Sequence, residues 1–382
     1  MSKKFGATIQ KSSSRCLHWQ LGLAFAVQLF SGSRAHAENH VDYGFEYYKE
    51  DNNRMTIETH SVVFEQKLTD AIIAKGELTY DGISGATPTG TVKPSGKINL
   101  TQLADIRRAE SIELDWRLGS HTLTPGFSHS QESDYISYGV SLNDAVEFNE
   151  KNTTLSYGIS QNFDSVREAN KKTWNPKYST EALIGISQLL SPRTILNVAF
   201  TFGNDSGYLN DPYRLITFAG SGFAYPEIRP SHRNKEALFT SVTHHFESLN
   251  ASLESSYRFY HDSYGVYANT LGMTWHQWFG KHMLVDPLFR FYEQSAADFY
   301  RATVPGYFPS DPIPRPSFYS ADYRLSELYT LDFGLQATAV VNDHLHIVAG
   351  FHRYEMYGLD GKTSSAMYPK ANVYTIGLSI LW

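Results

Sequence analysis

The chain has 382 residues, a formal net charge of −6 and only 19% charged residues. This mildly acidic balance gives no support for nucleic-acid binding, and after residue 37 there is no unbroken apolar run of about 18 residues that would form a membrane helix. Aromatic residues make up 14% of the chain, which favours many alternating strands over helices.

The first 37 residues have the pattern of a secretory signal peptide. Basic residues precede the apolar stretch LGLAFAVQLF at 21–30, and a small-x-small cleavage site ends at Ala37. We expect cleavage after Ala37, which leaves 38–382 as the mature domain. Because the single cysteine, Cys16, lies in this leader, the mature chain is expected to fold without disulfides.

From residue 42 onward, segments of about ten residues alternate between apolar and polar side chains, as in a transmembrane barrel. Ile112, Leu114 and Trp116, for example, alternate with Glu113 and Asp115. Successive side chains of a strand point to opposite faces, so each segment has one apolar face and one polar face. The polar faces are rich in Gly, Ser, Thr and Asn, unlike the Lys- and Glu-rich outer face of a soluble sandwich.

The connections between these segments alternate in length. Seven are tight turns, near 69–70, 119–121, 149–151, 191–192, 247–249, 280–282 and 342–343; the long ones are expected near 82–108, 164–177, 205–235, 296–321 and 357–370. Short turns at one rim and long loops at the other are typical of bacterial outer-membrane barrels, whose short turns face the periplasm. Counting the strands back from the C-terminus, with every tight turn at the same rim, predicts an all-β fold. It is an antiparallel up-and-down barrel of 16 strands, with 14 strands as the alternative.

The last nine residues, YTIGLSILW, predict the strand that closes this barrel. We expect lipid contact at Tyr374, Ile376, Leu378 and Ile380, and an aromatic girdle formed by Trp116, Phe148, Phe246, Trp278, Phe279 and Trp382. A final strand that ends in an aromatic residue resembles the signal that the barrel-assembly machinery reads in bacterial outer-membrane proteins. The resemblance implies that machinery, outer-membrane lipid and lipopolysaccharide as partners.

Four stretches resemble a family of exported bacterial proteins of unknown function: SGATPTG at 84–90, NEKNTTLSYG at 149–158, SGYLNDPYR at 206–214 and RPSHR at 229–233. The resemblance covers essentially the whole mature chain. It brings no catalytic residues and no cofactor, and it implies a cell-envelope protein in a redox context.

Charged residues on the polar faces are the candidates for lining the lumen. They are Glu113, Asp115, Arg117, Glu254, Arg258, Asp286, Arg290 and Asp332. Acids outnumber bases on these faces, so an open lumen would mildly favour cations. A filled interior is the second interpretation, because opposite charges such as Glu254 with Arg258, and Asp286 with Arg290, are spaced so that they could neutralise each other.

Metal binding and catalysis have weaker support in the sequence. His344 and His346 share one face of a strand, but a metal site would need ligands from other strands, so none is predicted. No G-x-S-x-G or H-E-x-x-H motif occurs, so an enzyme is not predicted. The proline- and aromatic-rich segment 304–323 is expected to be stiff and to fold either into the barrel or away from it.

The leading hypothesis from the sequence is a passive channel with a mildly acidic lumen. The alternative is a closed barrel that serves as a scaffold for an envelope complex with periplasmic or lipoprotein partners. A hydrolase is the third hypothesis.

Overall fold

The computed structural model describes residues 39–93, 95–169, 171–219, 223–304 and 316–382. The predicted signal peptide lies outside the described residues. No helix in the described ranges is long and apolar enough to cross a membrane. Short 3-10 turns occur at Asp51–Asn53, Asn149–Lys151, Glu247–Leu249, Tyr323–Leu325 and Ser365–Met367.

Within the described chain, sixteen strands form one closed antiparallel barrel. They are β1 (His40–Glu50), β2 (Met55–Lys67), β3 (Ile72–Val92), β4 (Ile98–Leu118), β5 (His121–Gln131), β6 (Tyr135–Phe148), β7 (Thr153–Arg167), β8 (Trp174–Ser191), β9 (Thr194–Gly207), β12 (His232–Phe246), β13 (Ala251–Asp262), β14 (Tyr267–Phe279), β15 (Met283–Gln294), β16 (Leu328–Asn342), β17 (Leu345–Gly358) and β18 (Lys370–Leu381). A small hairpin, β10 (Leu215–Thr217) with β11 (Ala224–Pro226), lies in the connection between β9 and β12. The predicted fold class and the count of sixteen are confirmed.

The barrel is apolar outside and polar inside, as the alternation predicts. On β18, Tyr374 and Ile376 are 48% and 57% exposed on the outer face, whereas Thr375 and Ser379 are buried on the inner face. Leu378 and Ile380 are also exposed on the outer face. An outer face of this kind fits a hydrocarbon surrounding, because every backbone group of a closed barrel is paired within the sheet.

The seven predicted tight turns all join successive strands at one end of the barrel, which we call the short-turn end. The other end is the long-loop end. Trp116, Phe148, Phe279 and Trp382 lie at the short-turn end and are exposed, whereas Phe246 and Trp278 are partly buried. The backbone N–H of Trp382 donates to the carbonyl of Asn39 (3.1 Å), which extends the pairing of β18 with β1 that closes the barrel.

The prediction of a long loop over 82–108 is wrong. β3 and β4 stay paired from Ile72–Trp116 out to Val92–Ile98, so the connection is only 93–97. Within β3, Gly85 and Gly90 have φ angles of +129° and +100°, and both lie close to the backbone of other segments. A Cβ at Gly90 would lie 2.7 Å from the carbonyl oxygen of Leu215.

The other long connections are present, with shifted bounds. They run over 168–173, 208–231, 295–327 and 359–369. Three of them are shorter than predicted because the flanking strands extend further, whereas 295–327 is longer than predicted because β16 begins only at Leu328.

Candidate functional site: the capped mouth and the lumen

The described parts of two loops, 208–231 and 295–327, pack together at the long-loop end; we call them the cap. At its centre, Ile216, Phe218, Val304, Tyr319 and Ala321 form a hydrophobic cluster in which each residue is at most 3% exposed. Phe218 meets Tyr319 edge-to-face at 5.3 Å. Two orientations were open for segment 304–323. Its residues 319–323 are buried, as the folded-in orientation expects, whereas 316–318 are exposed.

Buried ion pairs join the two loops of the cap. Arg229 Nη2 lies 2.8 Å from Asp322 Oδ2, and Arg229 Nε lies 2.7 Å from Glu227 Oε1. Arg324 Nη2 contacts both Asp322 and Asp211 at 2.5 Å. Charge-assisted pairs of this kind are strong when fully desolvated and geometrically matched, and breaking one leaves a buried charge uncompensated.

Asp322 is the centre of this ion-pair network. Burial alone would raise the pKa of its carboxyl, but Arg324, Arg214 and Arg229 outweigh that effect and hold the pKa well below its usual range. For the neighbouring Tyr323, burial outweighs the effect of the arginines and raises the pKa of its phenol to about 12. Asp322 therefore stays ionised inside the cap.

The cap also contacts the barrel at several points around the rim. Arg214 donates to Thr87 on β3 (3.3 Å), and the Tyr213 hydroxyl donates to Asp134 between β5 and β6 (2.5 Å). Across the barrel, the hydroxyl of Tyr264, between β13 and β14, donates to the carbonyl of Pro230 (2.8 Å). Contacts on separated strands mean that the described cap bridges the mouth of the barrel.

Beneath the cap, opposite charges from neighbouring strands are paired inside the barrel. Lys177 Nζ lies 3.1 Å from Asp164, and both side chains are almost fully buried. Lys235 contacts Glu181 and Asp205, each at 3.1 Å. These pairs form a bonded polar layer on the inner wall of the upper lumen.

Toward the short-turn end the lumen is more open. Glu113 and Arg117 are exposed on the inner face, and small residues such as Ser156 and Ser187 are partly exposed. The lower lumen therefore has a polar wall that is accessible to solvent.

The charged residues predicted to line the lumen all lie on inner faces, but they do not pair as the filled-interior interpretation expects. Asp115 is buried 2.9 Å from Lys75. Asp286 contacts His276 (2.8 Å) instead of Arg290, and Asp332 lies 3.5 Å from His352. Glu254 and Arg258 form no ion pair with each other within the described chain.

Three inner-face residues lie side by side on β13, β14 and β15: Ser252, His276 and Asp286. His276 Nδ1 and Asp286 Oδ1 are 2.8 Å apart, a contact that would orient an imidazole base. The Ser252 hydroxyl, however, is hydrogen-bonded to His245 (3.1 Å) rather than to His276. The row has the residue types of a nucleophilic triad without the nucleophile–base contact.

The histidines named as weak metal candidates do not converge on a metal site among the described residues. His344 lies in the turn between β16 and β17, 2.9 Å from the carbonyl oxygen of Leu381. His346 lies on the inner face of β17. Asp105, Glu132 and Asp134 do bring ligand atoms within 4.8 Å of one another, but Asp105 and Asp134 already accept hydrogen bonds from Ser133 and Tyr213.

Sequence reasoning missed the ion-pair network of the cap. Its members are Asp211, Arg214, Glu227, Arg229, Asp322 and Arg324. One signal was present: these loops carry arginines and acids among prolines and aromatic residues, a composition that suits a packed loop better than a solvated one.

The fold resembles solved outer-membrane proteins at low sequence identity. CdiB from Acinetobacter baumannii has a TM-score of 0.51 and 9% identity, with 91% of this chain and 61% of that chain covered. A bacterial polysaccharide outer membrane secretin has a TM-score of 0.49 and 11% identity, covering 91% of this chain and 100% of the other. The siderophore receptor PirA from Pseudomonas aeruginosa has a TM-score of 0.42 and 10% identity, covering 85% of this chain and 57% of the receptor.

This chain thus spans less than two thirds of the length of CdiB and of PirA, and the likeness to CdiB is a likeness of fold alone. It is an outer-membrane-type β-barrel. A search of curated protein sequences finds no match. Residues 24–103, 98–175 and 167–379 match the family described as "Protein of unknown function (DUF3570)", and the chain belongs to that family.

Proposed function

We propose that the protein is a closed outer-membrane barrel that serves as a scaffold for an envelope assembly, rather than an open diffusion pore. The observation that supports this is the cap, in which buried ion pairs such as Arg229–Asp322 join two loops across the mouth. A passive pore needs a continuous water path, and a mouth bridged by packed aromatic residues and paired charges opposes one.

In this proposal the short turns face the periplasm and the cap faces outward, as is usual for bacterial barrels. The signal peptide would deliver the chain to the envelope, and the lower lumen would then be open to the periplasm. Glu113 and Arg117, exposed on that inner surface, offer both signs of charge to periplasmic or lipoprotein partners.

Liposome swelling tests the closed state. Vesicles that contain the folded protein should swell in an isotonic solution of a small sugar no faster than vesicles without protein. Swelling at the rate of a general porin would reject the closed barrel in favour of the passive channel. Chemical crosslinking in intact cells tests the scaffold: the short-turn rim should crosslink to discrete periplasmic proteins, and an absence of such products would leave no basis for the scaffold.

A hydrolase is the second candidate, and the row of Ser252, His276 and Asp286 is the observation in its favour. The test is labelling by a fluorophosphonate probe, which requires an activated serine. The closed scaffold predicts no labelling, whereas labelling that disappears in Ser252→Ala and His276→Gln would establish the hydrolase.

A further inference from the structure

Two arginines inside the lumen have no acidic partner. Arg258 on β13 and Arg290 on β15 are partly buried on the inner face, and neither forms an ion pair or hydrogen bond with another described residue. Arg258 lies over the ring of Tyr260, 5.4 Å from the ring centre, and the phenols of Tyr260 and Tyr292 act on it electrostatically. The positive charge of Arg290 acts on Arg258 repulsively. Two partly desolvated like charges are costly unless an anion compensates them.

None of the nearby acids forms an ion pair with either arginine among the described residues. Glu181, which acts on Arg258 attractively, is itself bound to Lys235 at 3.1 Å. Asp332 is the cross-strand neighbour of Arg290 but lies 3.5 Å from His352. Glu254 is four residues below Arg258 on the same strand, about 13 Å along it.

Between the two arginines the sheet leaves an open space. β14 lies between β13 and β15, and there Gly272 stands opposite both Ser256 and Arg290. A Cβ added at Gly272 would meet one atom within 4 Å, the Ser256 hydroxyl oxygen at 2.6 Å. Thr270, opposite Arg258, is also small. The space above Gly272 and Thr270 therefore has room for a small ligand.

The polar groups of the four residues around this space can all donate a hydrogen bond. The guanidinium groups of Arg258 and Arg290 carry N–H donors and no acceptor, and the hydroxyls of Ser256 and Thr270 make no hydrogen bond to another described residue. We propose that Arg258, Arg290, Ser256 and Thr270 form a binding site for a phosphate-type oxyanion in the lumen. The ligand is inorganic phosphate or the phosphate group of a small soluble ester.

Phosphate fits the donor set better than a single carboxylate does. Two guanidinium forks and two hydroxyls exceed what the two oxygens of one carboxylate can accept, so some donors would remain unpaired. A phosphate offers more acceptor oxygens and up to two negative charges, which matches the two arginines. The site lies inside the barrel wall, so the ligand would enter from solution through the open short-turn end.

This inference shares the open short-turn end with the proposed function and does not require the cap to be closed. The test is equilibrium binding of inorganic phosphate to the folded barrel in detergent, at constant ionic strength maintained with chloride. Arg258→Gln and Arg290→Gln should each weaken phosphate binding by about tenfold or more, the usual effect of losing a hydrogen bond to a charged group. Arg193→Gln is the matched control, because Arg193 is an exposed arginine in the turn between β8 and β9, outside the proposed site, and its loss should leave the phosphate affinity unchanged.

Gly272→Val is a second test variant, and it retains both positive charges. Its side chain would occupy the space above Gly272 and exclude the ligand, so phosphate binding should be lost. Heat-modifiable migration of each variant on a gel checks that the barrel has folded. Absence of saturable phosphate binding to the wild type, or an equal loss of affinity in Arg193→Gln, would overturn the site. Acetate that competes as well as phosphate would overturn the assignment of ligand class. None of these results depends on whether the barrel conducts.

Discussion

Arg229 and Asp322 are 93 residues apart in the chain, yet their side chains meet at 2.8 Å where both are buried. The contact joins the loop after β9 to the loop after β15. It supports the proposed closed barrel over an open channel, because each loop alone could lie outside the mouth, whereas the joined pair bridges it.

Removing the central carboxylate should loosen the cap. Asp322→Asn leaves Arg214, Arg229 and Arg324 without their shared counter-charge, and breaking a buried network of this kind costs about 3–5 kcal/mol. We expect faster cleavage of the two cap loops by trypsin while the strands stay protected. Asp70→Asn is the control, since Asp70 is an exposed acid paired with Lys67 at the short-turn end and contributes little. Equal cleavage rates for the two variants would contradict the role given to Asp322.

The cap should withstand mild acid. The folded pKa of Asp322 lies below its ordinary value of 3.8, so the stabilisation is fully present above 3.8 and is lost as the pH falls through the lowered value. Trypsin is inactive in acid, so hydrogen exchange of residues 316–327 is the suitable measurement. Protection there should be equal at pH 7 and pH 5. A marked loss of protection at pH 5 would contradict an ionised, arginine-bound Asp322.

The pair of Lys177 with Asp164 should stabilise the upper barrel. Lys177→Met leaves Asp164 buried without its cation, and we expect a loss of about 3 kcal/mol or more in unfolding free energy. The double variant Lys177→Met with Asp164→Leu should recover much of that loss, because no unpaired charge remains. Urea unfolding in detergent micelles measures both. A single variant as stable as the wild type would show that the pair contributes little.

Deleting Trp382 should impair assembly of the barrel. The residue extends the β18–β1 pairing and carries an aromatic ring at the short-turn end, where the terminal signal is expected. We expect less folded protein in the outer-membrane fraction, measured by heat-modifiable migration, with Trp382→Phe retaining normal levels as the control. Undiminished levels of the truncated chain would show that the terminal residue is dispensable.

The strands were predictable from the sequence because the membrane imposes a strict alternation on each of them. β18 illustrates this, with Tyr374 and Ile376 outside and Thr375 inside, as their order in the chain requires. The extension of β3 and β4 was missed because it lies beyond the alternating segment and contains Gly85 and Gly90, which local rules assign to turns. There the strand is stabilised by its partner strand and by the β10–β11 loop, neither of which is visible locally.

The candidate sites were less predictable for a related reason. The inward orientation of Arg258 and Arg290 follows from alternation, but their lack of partners does not. Asp286 was expected near Arg290 from its spacing, and it contacts His276 instead because that histidine is its neighbour across the strands. Partners in a barrel come from adjacent strands at the same height, so they depend on register more than on spacing along one strand.

Single-channel recording in planar bilayers tests the central claim most directly. The closed barrel predicts that correctly folded wild-type protein gives no stepwise ion current, and that a variant without the Asp322 carboxylate shows current steps under the same conditions. Stable, open conductance from the wild-type protein would contradict the account and restore the passive channel.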